Sequence, residues 1–348
     1  MNSLVWLLAM MAFDGPVKVE IRTLLKPIPE DSDYFLQTPT SFDVDKAGNY
    51  YLVDAEAQVV FTWDKQGNFK GHIGKPGEGP GEFQFGGRGP GAGFITALDK
   101  GLFVYDVRKR QVLFFNEDAQ YQSNIALNAN RARASNFYAM PSGEFLVHQR
   151  RFNEEGIFAE VKRLDGEGKE TKTYAALKDE SFNVSRSERR RRFTIRAFHP
   201  TIVSHYDRLT GEILVGHSKE PSFDVHKADG QVVKIKVPMP ANEVTQEDKD
   251  EYMRRFETRN RAPEVEFPDK KAFYTHLLSL GESGYLVFNQ SPYYNHIEGV
   301  HLNKNGDLKG RVDLESGPGG GLFGAAGRLL WLSLDDEDEF VLKEVALN

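Results

Sequence analysis

The sequence predicts an all-β fold: a six-bladed β-propeller of four-stranded antiparallel blades, its ring closed by the N-terminal strand, with one short helical insertion. Three observations lead there. Residues 41–83 contain four short runs of strand-forming residues parted by glycine-bearing turns, and none shows helical spacing. The unit recurs 52 residues downstream without a gap: Asp54 falls on Asp106, Val60 on Val112, Trp63 on Phe115, Asp64 on Asn116 and Phe69 on Tyr121. A glycine followed by a β-rich run occurs six times, at Gly48, Gly101, Gly143, Gly211, Gly284 and Gly327. Repeats of about 40–50 residues with this content are propeller blades.

Residues 4–12 form an apolar run too short to span a bilayer. They read as the end of a secretory signal, with Ala12 at the cleavage position, although a basic segment before them is missing. The expectation is a signal-peptide remnant over 1–12, a single propeller over 17–348 and a periplasmic or secreted location. The competing readings of the run are an ordinary buried strand or disordered tag residues, and the alternative location is cytoplasmic.

Residues 17–25 alternate apolar and polar and predict a strand with no partner nearby. The last unit offers three strands, at 322–325, 329–334 and 340–347. The first strand is therefore expected to complete the last blade, which removes two exposed sheet edges. Between the first and last units, blade two is expected at 93–127, blade three at 137–177, blade four at 201–237 and blade five at 272–314. Their hairpin turns carry Asp165-Gly166, Asp229-Gly230 and Asn305-Gly306, which supply the positive φ of tight turns.

The two wide gaps between units hold insertions, 181–196 and 243–268. The second predicts a helix of about 15 residues, capped by Thr245 with Asp248 three positions on. Tyr252, Met253 and Phe256 share its apolar face, which is expected to pack on the ring.

The net charge of −7 disfavours a general nucleic-acid or acidic-membrane binder. There is no cysteine, hence no disulfide framework and no thiolate metal site. The nine histidines include no His-x-x-x-His pair beside an acid. Gly-x-Ser-x-Gly and the Asp-x-Asp-x-Asp-Gly calcium loop are also missing. The glycines of 74–83 are followed by no Lys-Ser/Thr and no helix, so they are a crossover rather than a phosphate loop.

The unit resembles the NHL repeat family and its bacterial six-bladed relatives. The matching residues are Asp45, Gly48, Asn49, Tyr51, Val53 and Asp54, then Val60, Trp63 and Asp64, then Gly67 and Phe69, with Gly81-Glu82-Phe83 closing the repeat. The resemblance is good over 41–127 and survives beyond as a skeleton. It implies a non-catalytic binding or scaffold propeller, expected to be a monomer with a protein, glycan or other anionic partner and no cofactor. Some relatives bind RNA, which the export signal argues against here. The alternative it implies is a lyase or lactonase-like enzyme with a divalent metal in the central channel. Candidate ligands near the inner strands would be Asp43, Asp45, His199, His205 and His276.

With strands lettered a to d from the axis outward, b–c loops and d–a crossovers emerge on one face. Many basic residues map there: Arg88, Arg108, Lys109, Arg110, Arg131, Arg133, Arg150, Arg151, Arg186, Arg189, Arg190, Arg191, Arg192 and Arg196. Guanidinium forks suit carboxylate, sulfate or phosphate. The candidate binding residues are Arg108, Arg110, Arg131, Arg133, Arg150, Arg190 and Arg191, with Tyr293, Tyr294 and His296 of a b–c loop as a stacking surface. The bland readings are locally paired loop charges, with the acidic run 335–339 neutralising part of the patch, and rings that cover strand ends. Asp54 and Asp106 hold equivalent places after strand b and are expected to bond turns rather than do chemistry.

Overall fold

The computed structural model describes residues 19–85, 93–127, 132–187, 190–254, 256–257, 263–289, 296–315, 321–335 and 339–347; the side chains of 182–193, 296, 315 and 322 lie outside that description. The expected signal remnant, Arg88, Arg131, Arg189, Tyr293 and Tyr294 fall outside it, as do the side chains of Arg186, Arg190, Arg191, Arg192 and His296.

Strand β1 (Val19–Thr23) opens the chain. Blade one is β2 (Pro39–Val44), β3 (Tyr50–Asp54), β4 (Val59–Trp63) and β5 (Phe69–Ile73). Blade two is β6 (Gly93–Leu98), β7 (Gly101–Asp106), β8 (Gln111–Phe115) and β9 (Tyr121–Ala126). Blade three is β10 (Ala132–Ala139), β11 (Phe145–Asn153), β12 (Gly156–Leu164) and β13 (Glu170–Lys178). A hairpin, β14 (Phe182–Ser187) and β15 (Arg190–Arg196), follows outside the ring. Blade four is β16 (Ile202–Asp207), β17 (Glu212–His217), β18 (Ser222–His226) and β19 (Val232–Lys236). Helix α1 (Gln246–Arg254) and β20 (Glu264–Glu266) come next. Blade five is β21 (His276–Ser279), β22 (Tyr285–Phe288), β23 (His296–Leu302) and β24 (Leu308–Glu315). Blade six holds β25 (Gly321–Ala325), β26 (Arg328–Leu334) and β27 (Phe340–Leu347).

Strand β1 completes blade six, antiparallel to β27 from Val19 opposite Leu347 to Thr23 opposite Lys343. The chain then passes directly to blade one: the Lys26 amide donates to the Gly67 carbonyl at 2.9 Å. Gly67 has φ 76°, and a Cβ there would sit 1.9 Å from the Leu24 carbonyl oxygen, so the closure passes over a position only glycine fills.

Blades pack face to face, which explains why the inner two strands are continuous apolar runs. Every residue of β6 and of β7 is buried. Buried side chains collect between neighbours: Val53, Val60 and Phe83 meet Ile95 and Val104 between blades one and two. Phe61 and Trp63 meet Leu330 and Leu332 between blades one and six. The other four junctions are filled in the same way.

Asp54, fully buried, accepts four backbone N–H bonds, from Gln37 (2.7 Å), Thr38 (2.8 Å), Glu56 (3.0 Å) and Ala57 (2.9 Å). Asp106 takes those of Gln84 (2.6 Å), Arg108 (3.0 Å) and Lys109 (2.9 Å). Each carboxylate thus ties its own b–c loop to the crossover entering its blade. In blade four the hydroxyl of Ser218 stands in, accepting from the Thr201 amide at 2.9 Å.

Two expectations need correction. Blade three begins at Ala132, not at 137, because β10 and β11 extend together toward the crossover face. The helix runs nine residues rather than about 15. After Arg254 the backbone tightens into i→i+3 bonds, Phe256 to Met253 and Glu257 to Arg254, and this turn buries Phe256. The capping box forms as expected: the Asp248 amide donates to Thr245 Oγ1 at 3.2 Å and the Thr245 amide to Asp248 Oδ2 at 2.8 Å.

The two insertions meet. Strand β20 pairs parallel with β15, so three strands and the helix form one annex beside the crossovers. Tyr252 stacks edge-on against Phe198 (5.4 Å) and Phe267 (5.7 Å), and Lys271 forms a 2.6 Å buried ion pair with Asp248. No helix among the described residues is long and apolar enough to cross a membrane.

Candidate functional site

The inner strands of all six blades enclose an axial pocket of about 610 Å³, within the range of small-molecule sites. Its rim includes Gln37, Thr38, Thr201 and Thr275, where crossovers enter the blades. Its far end holds Asp43, Arg208 and Gly327, beside the a–b turns. Arg208 projects from blade four across the axis. Its Nη1 donates to Asp43 Oδ2 at 2.7 Å and to the Ala97 carbonyl at 2.5 Å, and its Nη2 meets the Val44 carbonyl. One side chain thereby joins blade four to blades one and two and bridges the floor, so the entrance is the crossover face.

Asp43 also accepts the Val44 and Ala97 amides, each at 2.8 Å. Burial pushes its carboxyl above the usual range, and Arg208 with these two amides pulls it back. This cluster is a closed structural knot: every strong donor around the carboxylate is engaged.

The wall above the floor is different. Tyr138 of β10 receives a bond from Asn136 Nδ2 (2.8 Å), and its hydroxyl lies 3.3 Å from Nδ1 of His205 on β16. The Ser204 hydroxyl lies 3.2 Å from Nδ1 of His148 on β11. Burial lowers both histidines to about 4; the Arg150 charge adds to this for His148, while Asp207 opposes it for His205. Both are neutral at pH 7, so each ring has one N–H donor and one acceptor nitrogen. Burial raises Tyr138, which stays a protonated donor. Burial would raise Asp207 too, but hydrogen bonds from Ser279 (2.7 Å), the Leu209 amide and Thr210 outweigh it and keep this carboxyl low.

Of the expected binding residues whose side chains are described, only Arg150 lines the pocket. Its Nε lies 2.7 Å from Asp179, whose side chain is fully buried. Arg133 sits opposite Arg150 on β10 and is exposed. Arg108 and Arg110 are exposed in the loop after β7, away from the axis. Neighbouring cations have local partners: Arg151 with Glu160 (2.8 Å), Arg196 with Glu266 (3.0 Å), and Lys109 with the Glu82 carbonyl (2.7 Å). Of the channel candidates, Asp43, His205 and His276 line the pocket. Asp45 is in the turn at the opposite end, bonded to Asn49 and Tyr51. His199 is in a crossover, 3.7 Å from Glu180. Among the described residues no three His, Asp or Glu side chains group as metal ligands.

Tyr138, His148, Ser204 and Arg208 were missed. The one available signal was the polar series Ser204-His205-Tyr206-Asp207-Arg208, running into and past a buried inner strand.

A DUF5128 family model, described as a 6-bladed beta-propeller, matches residues 35–304. No curated protein matches the chain. A member of the DUF4221 family from Bacteroides vulgatus is 12% identical, with a TM-score of 0.56 over 96% of this chain and 99% of that one. A candidate exported protein from Bacteroides fragilis is 11% identical, with a TM-score of 0.58 over 95% of each chain. Virginiamycin B lyase from Staphylococcus aureus is 10% identical, with a TM-score of 0.49 over 95% of this chain and 99% of that one. At these identities the likeness to the two Bacteroides proteins is one of fold.

Proposed function

The chain belongs to the DUF5128 family of six-bladed β-propellers, and on that premise we propose that it is a non-catalytic recognition module whose axial pocket takes the polar end of a glycan. The observation that carries this is the pocket wall. It is closed at the floor by Arg208 and offers hydroxyl, amide and neutral imidazole groups from different blades. Such a surface matches sugar hydroxyls, which both donate and accept. Of the described arginines of the crossover face, Arg150, Arg151 and Arg196 are engaged with local carboxylates and only Arg150 reaches the pocket, so the pocket rather than the arginine face is the centre of this reading.

The finer kinship with NHL repeats rests on the 45–83 motif residues. Export rests on the apolar run 4–12 and agrees with the name of the Bacteroides fragilis neighbour. A second reading, a propeller enzyme, is favoured by one observation, the Tyr138 hydroxyl beside His205, a pair able to pass a proton.

The test is ligand-observed NMR with N-acetylglucosamine, maltose and cellobiose, on the wild type and on Ser135→Trp. Ser135 is exposed and lines the pocket, so the indole obstructs it without entering the core. Binding of at least one sugar that disappears in Ser135→Trp is expected. No binding, or binding that survives the plug, refutes the reading. Divalent-metal-dependent turnover of a lactone, lost in His205→Ala, would replace it with the enzymatic one.

A further inference from the structure

On the opposite face, between blades three and four, lies a second cavity of about 340 Å³. It is reached past the a–b turn of blade three and the c–d turn of blade four. It shares only Tyr206 and Arg208 with the axial pocket wall, and the Arg208 guanidinium is already engaged by Asp43. Its remaining charged lining is of one sign: Arg163, Lys172 and Lys227.

The balance of charge there is positive. Glu144 pairs with Arg163 and accepts from Ser142 at 2.9 Å, and Asp224 is held by Lys234 at 2.7 Å. Lys172 and Lys227 have no carboxylate partner among the described residues. The Lys172 ammonium instead stands 4.7 Å from the centre of the Tyr174 ring. Two buried nitrogens here lack partners, Arg163 Nε and His226 Nδ1. Burial holds His226 below its ordinary value, so its ring is neutral near pH 7. The Arg163 Nε–H is a buried donor without an acceptor, which is costly, and an arriving oxygen relieves it. Tyr174 lies edge-on to His226 at 4.8 Å, and Tyr206, Met140 and Pro141 add apolar wall. At the low end of ligand-site volumes, the cavity suits a single ring rather than a chain.

We propose that this groove is a second binding site, for a sugar-sized ring bearing one oxyanion, a carboxylate or sulfate ester, held by Arg163, Lys172 and Lys227 over the Tyr174 wall. This site does not rest on the reading of the axial pocket, and the two sites face opposite ways.

The test is isothermal titration at low ionic strength with D-glucuronate, glucose 6-sulfate, glucose and inorganic sulfate. Both lysines are exposed, so Lys172→Gln/Lys227→Gln preserves the fold, checked by an unchanged urea midpoint. At least one anionic sugar is expected to bind about tenfold tighter than glucose and than inorganic sulfate, and to lose about tenfold in the double variant. Ser135→Trp is expected to leave that affinity unchanged, which separates this site from the axial one. Equal affinity for the anionic sugar and either control, undiminished affinity in the double variant, or loss in Ser135→Trp overturns the proposal.

Discussion

Acid should loosen this propeller before most of its carboxylates protonate, and the cause is two axial histidines; Asp43, raised by burial, acts in the opposite sense. His148 and His205 are buried and held at about 4, against 6.5 for the free side chain. Their folded pKa lies below the unfolded one, so the unfolded chain binds protons first as pH falls. Stability is therefore intact above about pH 6.5 and drains away between there and pH 4. Between pH 7.5 and pH 5 each histidine contributes a loss of about 2 kcal/mol, so the pair accounts for about 4 kcal/mol. That is a large part of the stability of an ordinary domain, about 5–15 kcal/mol. His217, His226 and His301 are also lowered by burial and add to the loss with the same sign. Asp207 is held low as well, but its contribution is lost as pH falls from the ordinary Asp value of 3.8 downward, below this window. The assay is urea unfolding followed by tryptophan fluorescence at pH 7.5, 6 and 5, on the wild type and on His148→Gln/His205→Gln. The wild-type midpoint should fall steeply with pH, and the double variant should start lower but show a much flatter slope. Equal slopes in the two proteins would show that the axial imidazoles are not the proton-linked groups.

Two further outcomes follow from buried charge. Arg208→Met removes the axial bridge and leaves the buried Asp43 carboxylate with two backbone amides and no countercharge, with an expected loss of about 3–5 kcal/mol in urea unfolding; adding Asp43→Asn should recover much of it, and a double variant as weak as the single would contradict the pairing. Asp54→Ala leaves four backbone amides without their acceptor and should cost about 3 kcal/mol or more, with faster hydrogen exchange at Gln37 and Thr38; unchanged exchange there would remove the loop-to-crossover tie.

The blades were legible in the residues because their information is local. Strand runs, the turns at Gly48 and Gly67, and the recurrence of Asp54 at Asp106 are each contained within one or two repeats. The closure by the first strand was legible for a related reason: an unpaired strand at one end matched a missing strand at the other. The helix boundary was not, because the turn at Phe256 is set by what the ring of that phenylalanine buries against. The joining of the two insertions through β15 and β20 was equally hidden, since nothing in either segment names the other.

The axial site belongs to the second kind. Arg208 and Asp43 are 165 positions apart, and Tyr138 and His205 are 67 apart. In sequence Arg208 looks like any residue of a hairpin turn, and the arginine-rich stretches draw the eye elsewhere. Strand pattern and turn chemistry suffice to specify six sheets, because each sheet is stabilised by neighbours close along the chain. Which side chains meet at the centre depends on how the ring is rotated, twisted and closed. That convergence exists only once every blade is in place, and it is there that a neutral, hydrogen-bonding pocket with a bridged floor emerges from residues scattered over the whole chain.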